Sequence, residues 1–397
     1  MDEPETRAVT EALARAGCAV RFVGGCVRDT LLGRPITDID IATDALPDKV
    51  VDAVRAAGLK AVPTGLEHGT ITAVADGKSF EITTLRCDVE TDGRHATVRF
   101  TDDWDADAAR RDLTMNAISV ETTGMVHDPF GGRADVIAGR VRFVGAAYDR
   151  IIEDVLRLLR YFRFYAHYGA APPDEEALAA CRTLAPKLQN LSAERVRAEL
   201  MKLLQALDPR PSLRLMRDAG VFAHFLPEAT NLEVIERLVE IEDQVGICVD
   251  PMRRLMALLD GDASVVPQVA DRLQFSNVER AYLMTLTGEV VSPGLDPTAR
   301  RHLIYRLGVT AFCELVLLQW AGAKDGLGWR ELLDWANGWS PKKFPVTGGD
   351  VLARGVPSGP AVGAALRAVE VWWINGAFVA DRNACLARLD TEVVGKC

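Results

Sequence analysis

The alternation of hydrophobic and polar positions changes its character near residue 150. Upstream, short apolar runs of strand length alternate with amphipathic runs of helical period. The strand-like runs are residues 19–23, 36–42, 70–75, 79–84, 97–100, 117–120 and 141–144, and the helical runs are 5–17, 47–57 and 105–114. Downstream the period is helical, with turn-forming breaks at 171–174, 208–211 and 291–296. The pattern predicts an α/β head followed by a long helical arm.

Composition narrows the class of protein. The chain has 397 residues, of which 48% are hydrophobic and 26% charged, as in a globular protein of several domains. No run approaches the roughly 18–20 consecutive apolar residues that span a bilayer, and the first residues are acidic and helical. The eight cysteines are scattered without a C-x-x-C, which argues against a zinc site or a disulfide framework. We therefore expect a cytoplasmic protein with reduced thiols and no membrane association.

The net charge of −10, taken alone, disfavours a nucleic-acid partner, because such domains are usually basic. Binding responds to the local field of a groove, however, and not to the charge of the whole chain. Residues 140–163 contain six arginines against three acids. A basic groove is therefore compatible with an acidic protein.

The line VGGCVRDTLLGRPITDIDIAT, residues 23–43, contains candidate phosphate-binding groups. An apolar strand runs into Gly24 and Gly25, where missing side chains let backbone N–H groups approach a phosphate. Arg28 follows and offers a rigid fork of donors to the same anion. Together these residues predict a site for a nucleotide.

Two carboxylates at the end of this line, Asp38 and Asp40, are candidate metal ligands. At strand spacing both leave the same face of the sheet. Such oxygen ligands suit Mg²⁺, and two ions about 3.5–4 Å apart can hold the attacking and leaving oxygens of a phosphoryl transfer. An isolated D-x-D is more often a solvated surface strand, but the neighbouring glycine pair and Arg28 favour the metal site.

The order GG-x-V-R-D, L-G-R and D-x-D resembles the head signature of the class II tRNA nucleotidyltransferases, which include CCA-adding enzymes and bacterial poly(A) polymerases. The resemblance implies a polymerase-beta-like α/β head with a mixed sheet, then an all-α neck, body and tail. We expect these parts to be residues 1–145, 146–206, 207–320 and 321–397, with tRNA bound by the tail. It also implies tRNA, CTP and ATP as partners, Mg²⁺ as cofactor, and no obligate protein partner.

Further motifs extend the resemblance towards the CCA-adding branch. Glu81 stands in an E-x-T-T-x-R motif, and by resemblance it joins Asp38 and Asp40 as a catalytic acid. Residues 65–70 resemble the G-x-x-H-G-T turn of that branch. Residues 92–95, D-G-R-H, match a loop of full family length, which favours addition of all three nucleotides.

The segment RRDLTMN supplies three further candidates. Asp112 and Asn116 have the i, i+4 spacing of one helical face, which a helix cap with a surface ion pair would also explain. The resemblance implies that Arg111 and Asp112 contact the ribose of the nucleotide and that Asn116 belongs to the same site.

Asp154 and Arg157 are the candidates for reading the base. At i, i+3 on a helix they would set an acceptor beside a fork of donors. Cytosine and adenine both offer an exocyclic amine next to a ring acceptor, whereas uracil and guanine would oppose a carbonyl oxygen to the carboxylate. An ordinary surface ion pair has the same spacing, but the pair matches the family's E-D-x-x-R motif.

Arg160 and Arg163 continue the three-residue spacing, and by resemblance they hold the triphosphate and the RNA end. We expect the aromatic residues 161, 162, 164 and 165 to pack in the core, and the S-x-E-R turn at 192–195 to brace the base-reading helix.

The predicted function is template-independent addition of C, C and A to the 3′ end of tRNA, with release of pyrophosphate. The alternatives are a poly(A) polymerase, a partial CC- or A-adding enzyme and an inactive RNA-binding relic. A relic would be expected to lose its metal carboxylates first, yet Asp38, Asp40 and Glu81 are all present.

Overall fold

The computed structural model describes residues 2–91 and 96–394. The chain divides into two compact units, Met1–Thr230 and Asn231–Cys397. In the described residues every strand precedes residue 128, and helices follow. This confirms the predicted α/β head with a helical arm. The finer division into head, neck, body and tail stays a prediction.

The strands of the first unit form two sheets. They are β1 Val20–Val23, β2 Asp40–Thr43, β3 Lys60–Gly65, β4 Thr70–Ala75, β5 Lys78–Thr84, β6 Arg86–Thr91, β7 Ala96–Phe100, β8 Ser119–Glu121 and β9 Val126–His127. Seven of them make one sheet in the order β3-β4-β5-β2-β1-β8-β9, and β6 pairs with β7. The β2–β5 pair is parallel and the other pairs are antiparallel, so the predicted mixed sheet is confirmed.

Local sequence explains the best-predicted strands. In β4 and β5 buried and outward-facing residues alternate, as a strand with one covered face requires. The turn between them is Asp76-Gly77, both with positive φ (46° and 81°), which is the backbone of a tight hairpin.

Two strand predictions need correction, and the strands β3, β6 and β9 were not predicted. The run 36–42 was expected to be a strand, but β2 begins only at Asp40 because its antiparallel partner β1 ends at Val23, where the chain turns into a helix. The run 141–144 contributes only a single bridge, from Phe143 to Leu113. The edge strand β3 was not predicted, since its exposed, proline-containing sequence lacks an apolar alternation.

Ten α-helices complete the described part of the first unit: α1 Pro4–Arg15, α2 Gly25–Leu31, α3 Pro47–Ala56, α4 Trp104–Ala109, α5 Gly132–Ala138, α6 Ala147–Glu153, α7 Leu156–Tyr168, α8 Glu175–Leu184, α9 Ala193–Leu204 and α10 Arg210–Asp218. Helix α7 buries Leu158, Tyr161 and Phe162, and Phe162 is tied to α10 because its carbonyl accepts a 2.6 Å hydrogen bond from Ser212. The arginines of α7 lie on its less buried side.

The described residues of the second unit are helical: α11 Glu233–Val245, α12 Pro251–Leu258, α13 Val266–Arg272, α14 Asn277–Thr285, α15 Pro297–Gly322, α16 Trp329–Asn337, α17 Gly348–Leu352, α18 Pro360–Asn375 and α19 Arg382–Val394. Helix α15 is long and apolar enough to cross a bilayer by length and composition. It is interrupted at Gly308 (φ 80°, ψ 165°) and buries Glu314 against Arg253 at 2.8 Å, as a core helix does.

Candidate functional site

Three neighbouring strands meet where the sequence predicted the nucleotide. Val23 at the end of β1 pairs with Asp40 at the start of β2, and Asp40 is in register with Glu81 of β5. Gly24 follows with φ 71°, a conformation that favours glycine. A Cβ on Gly24 would lie 3.6 Å from the Asp40 carboxylate and from the Arg111 guanidinium. The glycine therefore brings bare backbone close to both charges.

A cavity of about 520 Å³ opens at this point in the first unit. Ten of the predicted site residues line it: Gly24, Gly25, Arg28, Asp40, Arg111, Asp112, Asn116, Asp154, Arg157 and Arg160. Its wall also includes Arg110, Leu156, Phe164 and Arg195. Asp38, Glu81 and Arg163 are not part of that wall. The structure thus brings the glycine turn, the ribose candidates and the base-reading candidates into one cavity with the Asp40 carboxylate.

Asp40 carries the electrostatic signature of a cation site. Burial, the Glu81 carboxylate and Asp38 raise the pKa of Asp40, while Arg111 opposes them. Carboxylates that repel one another in this way are stabilised by a divalent cation, so the residues fit Mg²⁺. Within residues 2–91 and 96–394 no three acidic, histidine or cysteine side chains form a complete metal site. An ion here would draw further ligands from water and substrate phosphates, as Mg²⁺ commonly does.

Asp38 departs from the geometry expected of it. It precedes β2, is exposed, and its carboxylate accepts a 3.2 Å hydrogen bond from the Thr37 hydroxyl. It lines a neighbouring cavity with Arg34 and Lys78 and not the one that holds Asp40. The expectation of two acids side by side on one strand is wrong, although Asp38 is close enough to influence the pKa of Asp40.

The ribose candidates are held by a compact turn. Helix α4 ends at Ala109, and Asn116 closes a short 3₁₀ turn, so the expected α-helical face is wrong. Asn116 Nδ2 nevertheless donates to Asp112 Oδ1 at 3.0 Å, and Asn116 Oδ1 accepts from Arg28 at 2.8 Å. Burial alone would raise the pKa of Asp112, but Arg160 and Asn116 outweigh it and hold that pKa below its usual value.

The base-reading candidates flank a break between two helices. Asp154 has extended backbone (φ −148°, ψ 107°) between α6 and α7, so the two residues do not share one helix as predicted. The Asp154 carboxylate accepts from the Leu156 amide at 3.1 Å and from Arg195 at 2.7 Å. Arg157 donates to Glu153 at 2.5 Å. The pair thus lines the cavity with each member held by a neighbour.

Arg160 and Arg163 differ in what they can reach. Arg160 lines the cavity and donates to Asp112 at 2.6 Å. Arg163 lies behind the wall and donates to Glu199 of α9 at 2.6 Å. This geometry therefore does not favour the contact between Arg163 and the triphosphate that the resemblance implies. Arg163 lies behind the residues that line the cavity.

Sequence reasoning missed several members of the site. Phe164 was expected to pack in the core; it is buried, yet it also lines the cavity. Glu199 and Arg110 were not singled out, since single charges on a helix carry no distinctive signal. Arg195 fulfils the bracing expected of the S-x-E-R turn through its bond to Asp154. Residues 92–95, the predicted loop, lie outside the described residues.

Comparison with known families gives matches to two segments of the chain. Residues 20–142 match the Poly A polymerase head domain, and residues 172–232 match the domain described as the probable RNA and SrmB-binding site of polymerase A. The first segment contains the glycine pair, the D-x-D and the E-x-T-T-x-R motifs, and the second contains the S-x-E-R turn, whereas the E-D-x-x-R motif lies between them.

Full-length comparisons agree. The mouse mitochondrial CCA tRNA nucleotidyltransferase 1 is 35% identical over 96% of this chain and 88% of its own. The CCA-adding enzyme of Levilactobacillus brevis is 30% identical over 96% of each chain. A crystal structure of the Bacillus stearothermophilus CCA-adding enzyme in complex with CTP superposes over 99% of both chains, with a TM-score of 0.81 and 29% identity. The sequence motifs, the fold and these matches together show that the chain belongs to the CCA tRNA nucleotidyltransferase family.

Proposed function

We propose that this protein adds C, C and A to the 3′ end of tRNA without a template, using CTP and ATP and releasing pyrophosphate. The observation that carries the proposal is the single cavity in which Asp40, the Gly24-Gly25 turn and the pair Asp154 and Arg157 converge. One wall offers a catalytic carboxylate and the other offers groups that can read a base. The names of the relatives and the CTP complex of one of them support this assignment.

In the proposed reaction the RNA 3′-hydroxyl oxygen attacks the α-phosphorus, and the bond to the pyrophosphate oxygen breaks. Asp40, with Glu81 and Asp38 nearby, would hold Mg²⁺, which would activate the hydroxyl and neutralise the departing pyrophosphate. Arg28 and Arg160 face the cavity and offer donors to the phosphates. The Asp112 carboxylate and the Asn116 amide stand where they can orient a ribose.

Base choice in this proposal depends on Asp154 and Arg157. The carboxylate accepts from the exocyclic amine of C or A, and the guanidinium donates to the adjacent ring acceptor. A uracil or guanine carbonyl would face the carboxylate without a proton between them, leaving buried acceptors unpaired. Arg157 must turn from Glu153 towards the base for this contact. CTP and ATP are accepted on this basis, and UTP and GTP are rejected.

A tRNA that lacks its last three nucleotides separates the proposal from its rivals. Incubated with labelled CTP and ATP, it should gain three nucleotides and then no more. A long adenylate tail would identify a poly(A) polymerase, one or two added residues would identify a partial enzyme, and no addition would identify an RNA-binding relic.

A cytoplasmic location stays a prediction, because the relatives include bacterial proteins and a mitochondrial one.

Asp40→Asn tests the carboxylate directly. The change keeps the shape but removes the charge that would hold Mg²⁺, so we expect kcat to fall by at least about 100-fold. Asp44→Asn is the matched control, since Asp44 is exposed at the end of the same strand and accepts a 2.9 Å bond from Ala19, which an asparagine oxygen can also accept. Near-normal CTP incorporation by Asp40→Asn would rule out this mechanism.

A further inference from the structure

Phe164 of α7 is surrounded by the positive groups of the cavity. The guanidinium carbons of Arg163, Arg28 and Arg160 lie 4.3, 5.3 and 5.6 Å from the centroid of its ring. These separations are within the range of cation–π attraction. The ring is buried, at 5% exposure, and still forms part of the cavity wall. A side chain of this type would ordinarily be assigned to the core alone.

A second ring extends the arrangement by one helical turn. Tyr168 stacks on Phe164 with centroids 5.7 Å apart and an interplanar angle of 27°. The Arg28 guanidinium lies 4.1 Å from the centroid of Tyr168. Arg28 comes from α2, directly after the glycine turn, whereas both rings come from α7. The rings therefore join two of the elements that supply positive charge to the cavity.

Each of the three arginines also has an oxygen partner in addition to the ring. Arg28 donates to Asn116 at 2.8 Å, Arg160 to Asp112 at 2.6 Å and Arg163 to Glu199 at 2.6 Å. A planar guanidinium with a hydrogen-bond acceptor and an aromatic neighbour has little rotational freedom left. The arrangement fixes the guanidinium groups before a ligand arrives, which reduces the ordering cost of binding.

We infer that Phe164 is a positioning residue for the triphosphate of the incoming nucleotide: its ring fixes the guanidinium groups of Arg28 and Arg160 in the cavity wall, with Arg163 behind them. The inference rests on the proposed function for the identity of the ligand. A leucine or methionine would fill much of the same volume but has no electron-rich ring face. The arginines would then lose an attractive neighbour, and the phosphates would meet a less ordered wall.

The probe is inorganic tripolyphosphate, with binding to the full chain measured by calorimetry. Phe164→Leu should weaken binding about tenfold, and Phe164→Tyr should return it to within about threefold of the unchanged protein. Phe162→Leu is the matched control. Phe162 is buried two residues away, and among the described residues no arginine lies over its ring. The Phe162→Leu variant should bind tripolyphosphate with a Kd within about twofold of that of the unchanged protein.

Kinetics supply a readout that loosened packing would not produce. In Phe164→Leu the KM values for CTP and ATP should rise by the same factor, because the ring acts on the phosphates and not on the base. Thermal unfolding of the Phe162 and Phe164 variants identifies any that fail to fold. Phe164→Met provides a second non-aromatic replacement if leucine is not tolerated.

Unchanged tripolyphosphate binding in the folded non-aromatic variants would overturn the inference. So would an equal loss in Phe162→Leu, or a failure of a folded Phe164→Tyr to recover binding. The proposed function fails separately: a protein that binds tripolyphosphate through Phe164 but adds nothing to tRNA would keep this inference and lose that function. Conversely, three-nucleotide addition that does not depend on Phe164 would keep the proposed function and overturn this inference.

Discussion

Folding shifts the pKa values of two carboxylates in this cavity, Asp40 and Asp112, in opposite directions. Burial and neighbouring acids raise the pKa of Asp40. Asp112 is also buried, but Arg160 and hydrogen bonds hold its pKa low. The ionised form of Asp112 thus stabilises the fold above its usual pKa, and that contribution is lost as pH falls through the lowered one. Asp40 behaves in the opposite sense, because the folded protein binds its proton more tightly than the unfolded chain does.

Asp40→Asn should therefore stabilise the protein that it inactivates. Above the raised pKa the ionised Asp40 disfavours the folded state, and the amide removes that charge. Every 1 kcal/mol relieved would raise the Tm of the first unit, Met1–Thr230, by roughly 2–4 °C. Calorimetry at neutral pH should show the increase, which should fade as pH falls through the raised pKa towards the ordinary value. A lower Tm for this variant at neutral pH would contradict the assigned charge environment.

At the scale of elements, the break between α6 and α7 decides how the base-reading groups are presented. A continuous helix over residues 147–168 would carry Asp154 and Arg157 one turn apart on one edge. The extended backbone at Asp154 instead lets its carboxylate cap the start of α7 through the Leu156 amide and meet Arg195 of α9. The same carboxylate thus has a local structural partner and a free face towards the cavity.

Asp154→Asn should separate these two roles. The amide oxygen can still accept from Leu156, but the amide nitrogen cannot accept from Arg195, so the free energy of unfolding should fall by only about 1 kcal/mol. The amide nitrogen, however, meets the amine of cytosine donor to donor, and we expect CTP incorporation to fall about 10–100-fold while UTP is rejected less strictly. Asp149→Asn, on the exposed part of α6, is the control. Unchanged CTP and UTP incorporation rates for Asp154→Asn would exclude the base-reading role.

At the scale of the whole molecule, all residues that line the nucleotide cavity belong to the first compact unit. The chain as a whole carries a net charge of −10, yet five arginines besides Arg28 reach that cavity: 110, 111, 157, 160 and 195. Local concentration of charge, and not the overall balance, creates the positive field that a triphosphate needs. Nucleotide binding should thus be a property of the first unit alone.

A fragment of residues 2–230 tests this. It contains its own sheet and core, so we expect it to fold and to bind CTP with a Kd within about threefold of the full chain. Its affinity for tRNA should fall, since the predicted tail is missing. Circular dichroism checks folding, and calorimetry with CTP and tRNA measures both affinities. A folded fragment that does not bind CTP would show that the second unit contributes to the nucleotide site.

The sequence by itself determined the parts of the fold that depend on local pattern. The alternation in β4 and β5, the end of β1 at the glycine pair and the helical period beyond residue 150 are properties of short segments, and the structure bears them out. The head motifs likewise identified the family before any geometry was known. Periodicity and turn chemistry act between near neighbours, so a single sequence is enough to predict them.

Only the tertiary structure decided which charged groups meet. The links from Arg157 to Glu153, Arg195 to Asp154 and Arg163 to Glu199 depend on where helices end and how they pack. The exclusion of Asp38 from the strand follows from where β1 stops. The approach of α2 to α7 adds Arg28 to the two arginines of α7 that already lie beside the Phe164 ring. Apart from Arg157–Glu153 and the ring's neighbours within α7, these contacts join residues distant in sequence. The free energy of each contact depends on burial and direction, which no local pattern specifies.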